Sequence, residues 1–325
     1  MRKPFKILCI DGGGIKGLFS AQVLAKFEDV FNTSISDQFD LICGTSTGGI
    51  IALAASANIP MLDVVRFYKE KGPLIFAQKK KGWFGRKILC LKQILYKGKY
   101  DNAELKKALV EVFGNKKISE SSNLLCIPAF DIIRATPRVF KKDYNKFTED
   151  NRKTYIDVAL ATSAAPTYLP IHNLESSQYV DGGVWANNPS LVGLMEFLYQ
   201  FAEDERFNGV DILSISSLEL PQGSTFRCVN NSFLDWKSDL IDLFSIGQAK
   251  NMDKLFQFLD GKFKFPMHYV RVANTSPSPE QIKLIDMDNA SKESLEILQS
   301  IGESTAINAK MREEVEIFFT TGKTI

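Results

Sequence analysis

The chain has 325 residues, 45% of them apolar, and a net charge of +2. That is enough chain for one large α/β domain or two smaller ones around a sizeable core. No run approaches the roughly eighteen apolar residues of a membrane span. The apolar stretch behind the basic Met1-Arg2-Lys3-Pro4-Phe5-Lys6 ends at Asp11, too early for a signal-peptide core, so a cytoplasmic protein is expected. Charge is unevenly spread. Nine basic residues and no acidic one fall between Lys71 and Tyr100, which leaves −7 on the rest and suggests an anionic partner for that face. The five cysteines (Cys9, Cys43, Cys90, Cys126, Cys228) are scattered without C-x-x-C spacing. They read as reduced, buried apolar residues, and no metal site is expected.

Phe5 to Ile10 reads as a first strand, apolar enough for the centre of a parallel sheet. Asp11-Gly12-Gly13-Gly14-Ile15-Lys16-Gly17 follows, ahead of a helix from about Leu18 to Phe31. Three consecutive glycines expose a row of amides, which makes an anion cradle. Gly12, Gly14 and Gly17 also fit the dinucleotide fingerprint G-x-G-x-x-G, but that reading needs an acidic residue at the end of the second strand, and Asp40 precedes its strand. A phosphate-binding Walker loop fails too, because Leu18 stands where lysine is required. The other anion such a cradle serves is the oxyanion of acyl transfer.

Phe39 to Cys43 reads as a buried strand and Ile50 to Ala57 as a packed helix. Between them lies Gly44-Thr45-Ser46-Thr47-Gly48, a G-x-S-x-G pattern whose glycines permit a turn tight enough to lift the serine above the sheet. Ser46 would also sit at a helix N-terminus, where the dipole favours developing negative charge. It is read as a nucleophile, although by itself this motif serves packing as readily as chemistry.

A helix from Met61 to Lys71 leads through Gly72-Pro73-Leu74-Ile75-Phe76 into the basic segment, where Trp83, Phe84 and Tyr96 interleave with lysines including Lys79, Lys80 and Lys81. Two readings stand: a solvated loop and amphipathic helix on the body, or a cap that meets an anionic membrane. From Asp101 a helix is expected with Asp101 and Glu104 in capping-box spacing, with Leu105, Leu109, Val112 and Phe113 on one face and Gly114 closing it. Leu124 to Phe130 and Arg138 to Tyr144 read as strands. Val158 to Pro166 is a helix of small residues in which Ser163 is either polar trim or a site hydrogen bonder.

The second decisive stretch is Tyr179-Val180-Asp181-Gly182-Gly183, where a short strand ends at a carboxylate. In open α/β sheets ligands bind at that end of the strands. A serine nucleophile needs a base, and the only histidines are His172 and His268. Direct activation of Ser46 by Asp181, its pKa raised in a partly desolvated pocket, is the economical alternative to a triad. Beyond it, Asn188 to Phe201, Phe233 to Leu259 and Lys292 to Phe318 read as helices and Val210 to Ser216 as a strand. Nothing demands a second domain, so residues 1–325 form one unit with an insertion at about 72–100.

The glycine triplet with Lys16, then G-T-S-T-G, then D-G-G, in this order at strand ends, resembles the patatin-like phospholipases. The resemblance implies a three-layer α/β/α fold with a mostly parallel sheet, and a serine-aspartate dyad that needs no metal or cofactor. Ser46 is then the nucleophile, Asp181 the base, and the amides of Gly12, Gly13 and Gly14 the oxyanion hole, with Lys16, Gly17, Gly44, Gly48, Gly182 and Gly183 as motif support. The implied activity is hydrolysis of fatty-acyl esters of membrane phospholipids, with peripheral contact at the inner face of the membrane. The layout, including Gly72 to Phe76 and Gly247-Gln248-Ala249-Lys250, is similar to patatin-like effectors of bacterial cyclic-nucleotide antiphage systems. That implies a cyclic di- or oligonucleotide activator and allows a homo-oligomer; no DNA or RNA polymer is expected. The alternative reading is a nucleotide-binding sensor with a vestigial hydrolase site.

Overall fold

The computed structural model describes residues 2–77, 98–220 and 239–325. Lys79, Lys80 and Lys81, with the basic segment read above as loop or cap, lie outside the described residues, as do Cys90 and Cys228.

An eight-stranded sheet organises the chain. β1 (Lys3–Ile10) is central and pairs in parallel with β2 (Leu41–Gly44) on one side and β7 (Phe207–Ile215) on the other. β3 (Leu124–Asp131) extends the parallel ladder beyond β2, and β8 (Met267–Val272) extends it beyond β7. β4 (Thr136–Lys141), β5 (His172–Leu174) and β6 (Ser177–Asp181) join antiparallel on the β3 side. Side chains alternate between faces along each strand. Leu8, Ile10, Ile42, Leu125 and Leu213 therefore enter one core, while Ile7, Cys9, Leu41, Cys43 and Ile212 enter the other. With helices over both faces, the fold is the expected three-layer α/β/α arrangement. Cys9, Cys43 and Cys126 stand in register across β1, β2 and β3, fully buried and free.

The C-terminal ends of β1 and β2 each feed a helix. α1 (Gly17–Phe31) follows the glycine loop, α2 (Ile35–Gln38) leads into β2, and α3 (Thr47–Ser56) springs from the end of β2. All ten residues of α3 are buried, which its small apolar run anticipates. α4 (Met61–Ile75) runs beyond the expected end at Lys71 and carries Pro73 in its last turn. α5 (Ala103–Phe113) departs from expectation at its start. Asn102 precedes it without a side-chain cap, because the Asp101 carboxylate accepts from the Ala103 amide at 2.9 Å. Ala108 takes the buried place expected for Val112, which faces outward. α6 (Tyr155–Thr162) and the one-turn α7 (Gly183–Ala186) flank the β5–β6 hairpin. α8 (Ser190–Gln200), α9 (Asp239–Leu259), α10 (Pro279–Ile282) and α11 (Lys292–Lys310) complete the layers. The expected helix from Lys292 to Phe318 breaks at Met311 into short turns, which release the tail to run beneath the sheet.

That tail closes the end of the sheet opposite the glycine loop. Asp40 Oδ1 accepts from the amides of Thr324 (2.6 Å) and Ile325 (2.8 Å), while its Oδ2 accepts from the Lys6 amide (2.9 Å). Lys6 Nζ donates to the Phe318 carbonyl at 2.9 Å. Asp40 is fully buried, so its removal strands three amides. Asp40→Ala should lower stability by on the order of 3 kcal/mol, read as a fall in the urea midpoint at unchanged m-value.

Candidate active site

Ser46 sits between β2 and α3 with φ 55° and ψ −124°, a left-handed conformation rare for a residue with a side chain. The turn depends on its neighbours. A Cβ at Gly44 would come within 2.1 Å of the Gly48 carbonyl oxygen, and one at Gly48 within 2.3 Å of that of Ile10. The two chain segments therefore touch through bare backbone, and the turn that carries Ser46 packs directly against the end of β1.

Asp181 ends β6, which the register places beside Ala129 of β3. Ser46 Oγ donates to Asp181 Oδ2 at 2.6 Å, and Asp181 Oδ1 accepts from the Gly183 amide at 2.7 Å. The carboxyl is 5% exposed. Burial pushes its pKa up from the usual carboxylate range to about 6, against the two hydrogen bonds that favour the charged form. The two histidines are engaged elsewhere. His172 Nε2 is 3.5 Å from Asp157 Oδ1, and His268, largely exposed, holds Asp211 at 2.8 Å midway along β7.

The glycine loop lies beside the pair and is tied at both ends. The Gly12 amide donates to the Asn187 carbonyl at 3.1 Å, and the Ile15 amide donates to the Met287 carbonyl at 2.8 Å. The first bond corrects one expectation. Gly12 was grouped with Gly13 and Gly14 as an oxyanion donor, but its N–H is already committed. Its lack of a side chain is what matters, since a Cβ there would lie 2.6 Å from Asn187 Oδ1 and 3.2 Å from Ser46 Cβ. Gly14, at φ +60°, has a backbone conformation that side chains rarely adopt. Lys16 closes a single turn of 3-10 helix, its amide donating to the Gly13 carbonyl at 3.2 Å. Gly17 begins α1 against Thr47 Oγ1, and Gly182 packs on the Pro128 carbonyl. Below the loop, Arg271 Nη2 lies 2.6 Å from Asp11 Oδ2 and 2.7 Å from Glu219 Oε1, a buried cluster that anchors the end of β1.

Two cavities flank the loop. One, of about 630 Å³ and partly open, runs from Ser46 past Ile50, Phe67, Ile75, Leu105 and Leu169, and is lined almost wholly by apolar groups. The other, of about 410 Å³, carries Asp11, Lys16, Ser217, Glu219 and Ser245. Met287 lines both. The next residue, Asp288, is held by Lys99 and by the Tyr100 hydroxyl at 2.9 Å. Sequence reasoning did not reach Asn187, Met287, Arg271 or Thr162, whose hydroxyl accepts from the Ser46 amide at 3.0 Å. Ser163, read as trim or site residue, donates to the Ala159 carbonyl at 2.6 Å just past the end of α6 and also lines the cavity beside Ser46.

The patatin-like phospholipase family pattern matches residues 8–192, which span the glycine loop, the elbow and Asp181. A cGAMP-activated phospholipase of Pseudomonas aeruginosa is 33% identical over 257 residues, 78% of this chain and 74% of that protein. One of the same description from Vibrio cholerae is 31% identical over 94% of this chain and 91% of its own length. Patatin-like protein 2 of rice, Oryza sativa subsp. indica, is 28% identical over 93% of this chain and 83% of its own. The matched segment carries the loop, the elbow and the aspartate together, and the chain belongs to the patatin-like phospholipase family, as a lipid ester hydrolase.

Proposed function

We propose that the protein is a phospholipase of the A type that cleaves fatty-acyl esters of membrane phospholipids with a Ser46–Asp181 dyad. The observation that carries this reading is the 2.6 Å hydrogen bond from Ser46 Oγ to a buried carboxylate, beside an apolar cavity. The acyl chain lies in that cavity with its carbonyl carbon above Ser46. Asp181 takes the hydroxyl proton as Oγ attacks, and the Gly13 and Gly14 amides, with the N-terminus of α3, hold the oxyanion. Collapse of the tetrahedral intermediate breaks the ester C–O bond, and the leaving alkoxide takes the proton from Asp181. Water then attacks the acyl-serine, with Asp181 again as base, and releases the fatty acid.

Substrate is reached by peripheral contact with the membrane surface; among the described residues no helix is long and apolar enough to cross a membrane. Two relatives bear the description cGAMP-activated phospholipase, and we take a cyclic dinucleotide as the activator here as well. The ties around Met287 support this. The described end of the basic insertion, Lys99 and Tyr100, bonds to the carbonyls of Thr167 and Tyr168 and also holds Asp288; Tyr168 lines the apolar cavity, and Asp288 follows Met287, which lines it too.

Ser46→Ala should abolish fatty-acid release from phosphatidylglycerol–phosphatidylethanolamine vesicles, and 3′,3′-cGAMP should raise release by the unmodified protein; nucleotide binding with no release from vesicles would favour the sensor reading. Because the base must be ionised, kcat should fall as pH drops through about 6, the value to which burial moves Asp181. Asp181→Asn should lower kcat by about 10³-fold or more. The same variant should be more stable than the parent at pH 8. A carboxyl whose folded pKa exceeds its unfolded value adds stability at low pH and loses it as pH rises through the folded pKa, so the neutral amide avoids a penalty on the order of 1–3 kcal/mol, measurable by urea titration.

A further inference from the structure

The end of α6 makes hydrogen bonds to both halves of the dyad. Thr162 Oγ1 accepts from the Ser46 amide at 3.0 Å and donates to the Pro128 carbonyl at 2.5 Å. The Thr162 carbonyl accepts from the Gly182 amide at 3.3 Å, and two residues on, the Ala164 carbonyl accepts from the Asp181 amide at 3.0 Å. One helix terminus therefore bonds the backbone that carries the hydroxyl, the backbone that carries the carboxylate, and the β3 strand between them. Thr162 is fully buried, and its hydroxyl is satisfied as donor and as acceptor.

We infer that Thr162 is a positioning residue for the Ser46–Asp181 pair. Its hydroxyl holds the peptide that sets the direction of the Ser46 side chain, and its carbonyl, with that of Ala164, sets the height of Asp181. It touches none of the reacting atoms, and the inference rests on the dyad reading above. The physical reason lies in the elbow. A serine at φ 55° stores on the order of 1–3 kcal/mol of backbone strain and keeps that conformation only where its surroundings over-determine it. The Ser46 amide precedes α3, so the helix ladder offers it no partner. The Thr162 hydroxyl is what receives it.

Two substitutions separate the hydroxyl from the methyl. Thr162→Val keeps the shape, including the Cγ2 that packs against Gly49, but strands the Ser46 amide and the Pro128 carbonyl. Thr162→Ser keeps both hydrogen bonds and drops the methyl. With the full-length protein and a p-nitrophenyl fatty-acyl ester, Thr162→Val should lower kcat by about 100-fold, the effect of roughly 1 Å of misplacement, and leave KM within about threefold. The acid limb of its pH–rate profile should move to higher pH, because Asp181 loses the serine hydrogen bond that favours its charged form. Thr162→Ser should retain at least about a third of kcat with the limb in place. The inference is overturned if folded Thr162→Val keeps the parent kcat and pH profile, or if Thr162→Ser is as slow as Thr162→Val. Should the valine variant not fold, Thr162→Cys, whose thiol bonds only weakly, is read by the same criteria. Ser46→Ala run alongside separates the two levels: activity surviving in that variant would sink the dyad itself, whereas an inactive Ser46→Ala beside an unaffected Thr162→Val would sink only the positioning role.

Discussion

A serine hydroxyl and a carboxylate meet at 2.6 Å inside this protein because two strands running in opposite directions bring their ends to one height. β3 serves as the ruler. Cys43 of β2 stands beside Cys126 of β3, and Asp181 of β6 stands beside Ala129, three residues further up. Ser46 is also three residues beyond Cys43, so the ascending chain that turns at the elbow and the descending chain that ends at Asp181 arrive at the same level. A slip of one residue in either ladder would displace one partner by about 3 Å and point it at the opposite face. The register of a sheet more than 130 residues of chain apart is therefore the condition on which the chemistry rests.

Such a junction is costly to hold. It combines a buried carboxylate, a serine in left-handed backbone geometry, and glycines whose missing side chains let peptide planes touch. Each feature is unfavourable by itself. The compensation comes from what surrounds it: apolar layers on both faces of the sheet, a wholly buried α3, and an Asp11–Arg271–Glu219 cluster that fastens the end of β1 under the glycine loop. On the proposed reading rigidity has a chemical use, since donors already aimed at a developing charge need not reorganise during reaction.

The glycine loop lies between two cavities, one beside Ser46 lined by apolar side chains, the other bordered by Asp11, Lys16, Ser217 and Glu219. Met287 borders both spaces, and its carbonyl fixes the Ile15 amide. Its neighbour Asp288 is bound to Lys99 and Tyr100, where the described chain resumes after the basic insertion. On the proposed reading, a ligand that moves the insertion has a short path of hydrogen bonds to the acyl cavity and to the oxyanion donors.

What the sequence by itself determined is local. The glycine triplet, the elbow glycines around Ser46, the small-residue helix behind it and the strand ending at Asp181 are legible because each needs particular residue types at fixed spacing, which backbone sterics enforce within a few positions. Family resemblance could group those segments, but not the distances between them. Tertiary structure alone decided that Gly12 spends its amide on Asn187, that both histidines pair with other aspartates, that Val112 faces outward, and that Met287, Arg271 and Thr162 support the site. Those outcomes depend on hydrogen-bond partners and burial supplied by chain far away in sequence, and a bond between Thr162 and Ser46 leaves no periodicity or spacing for a reader of residues to find.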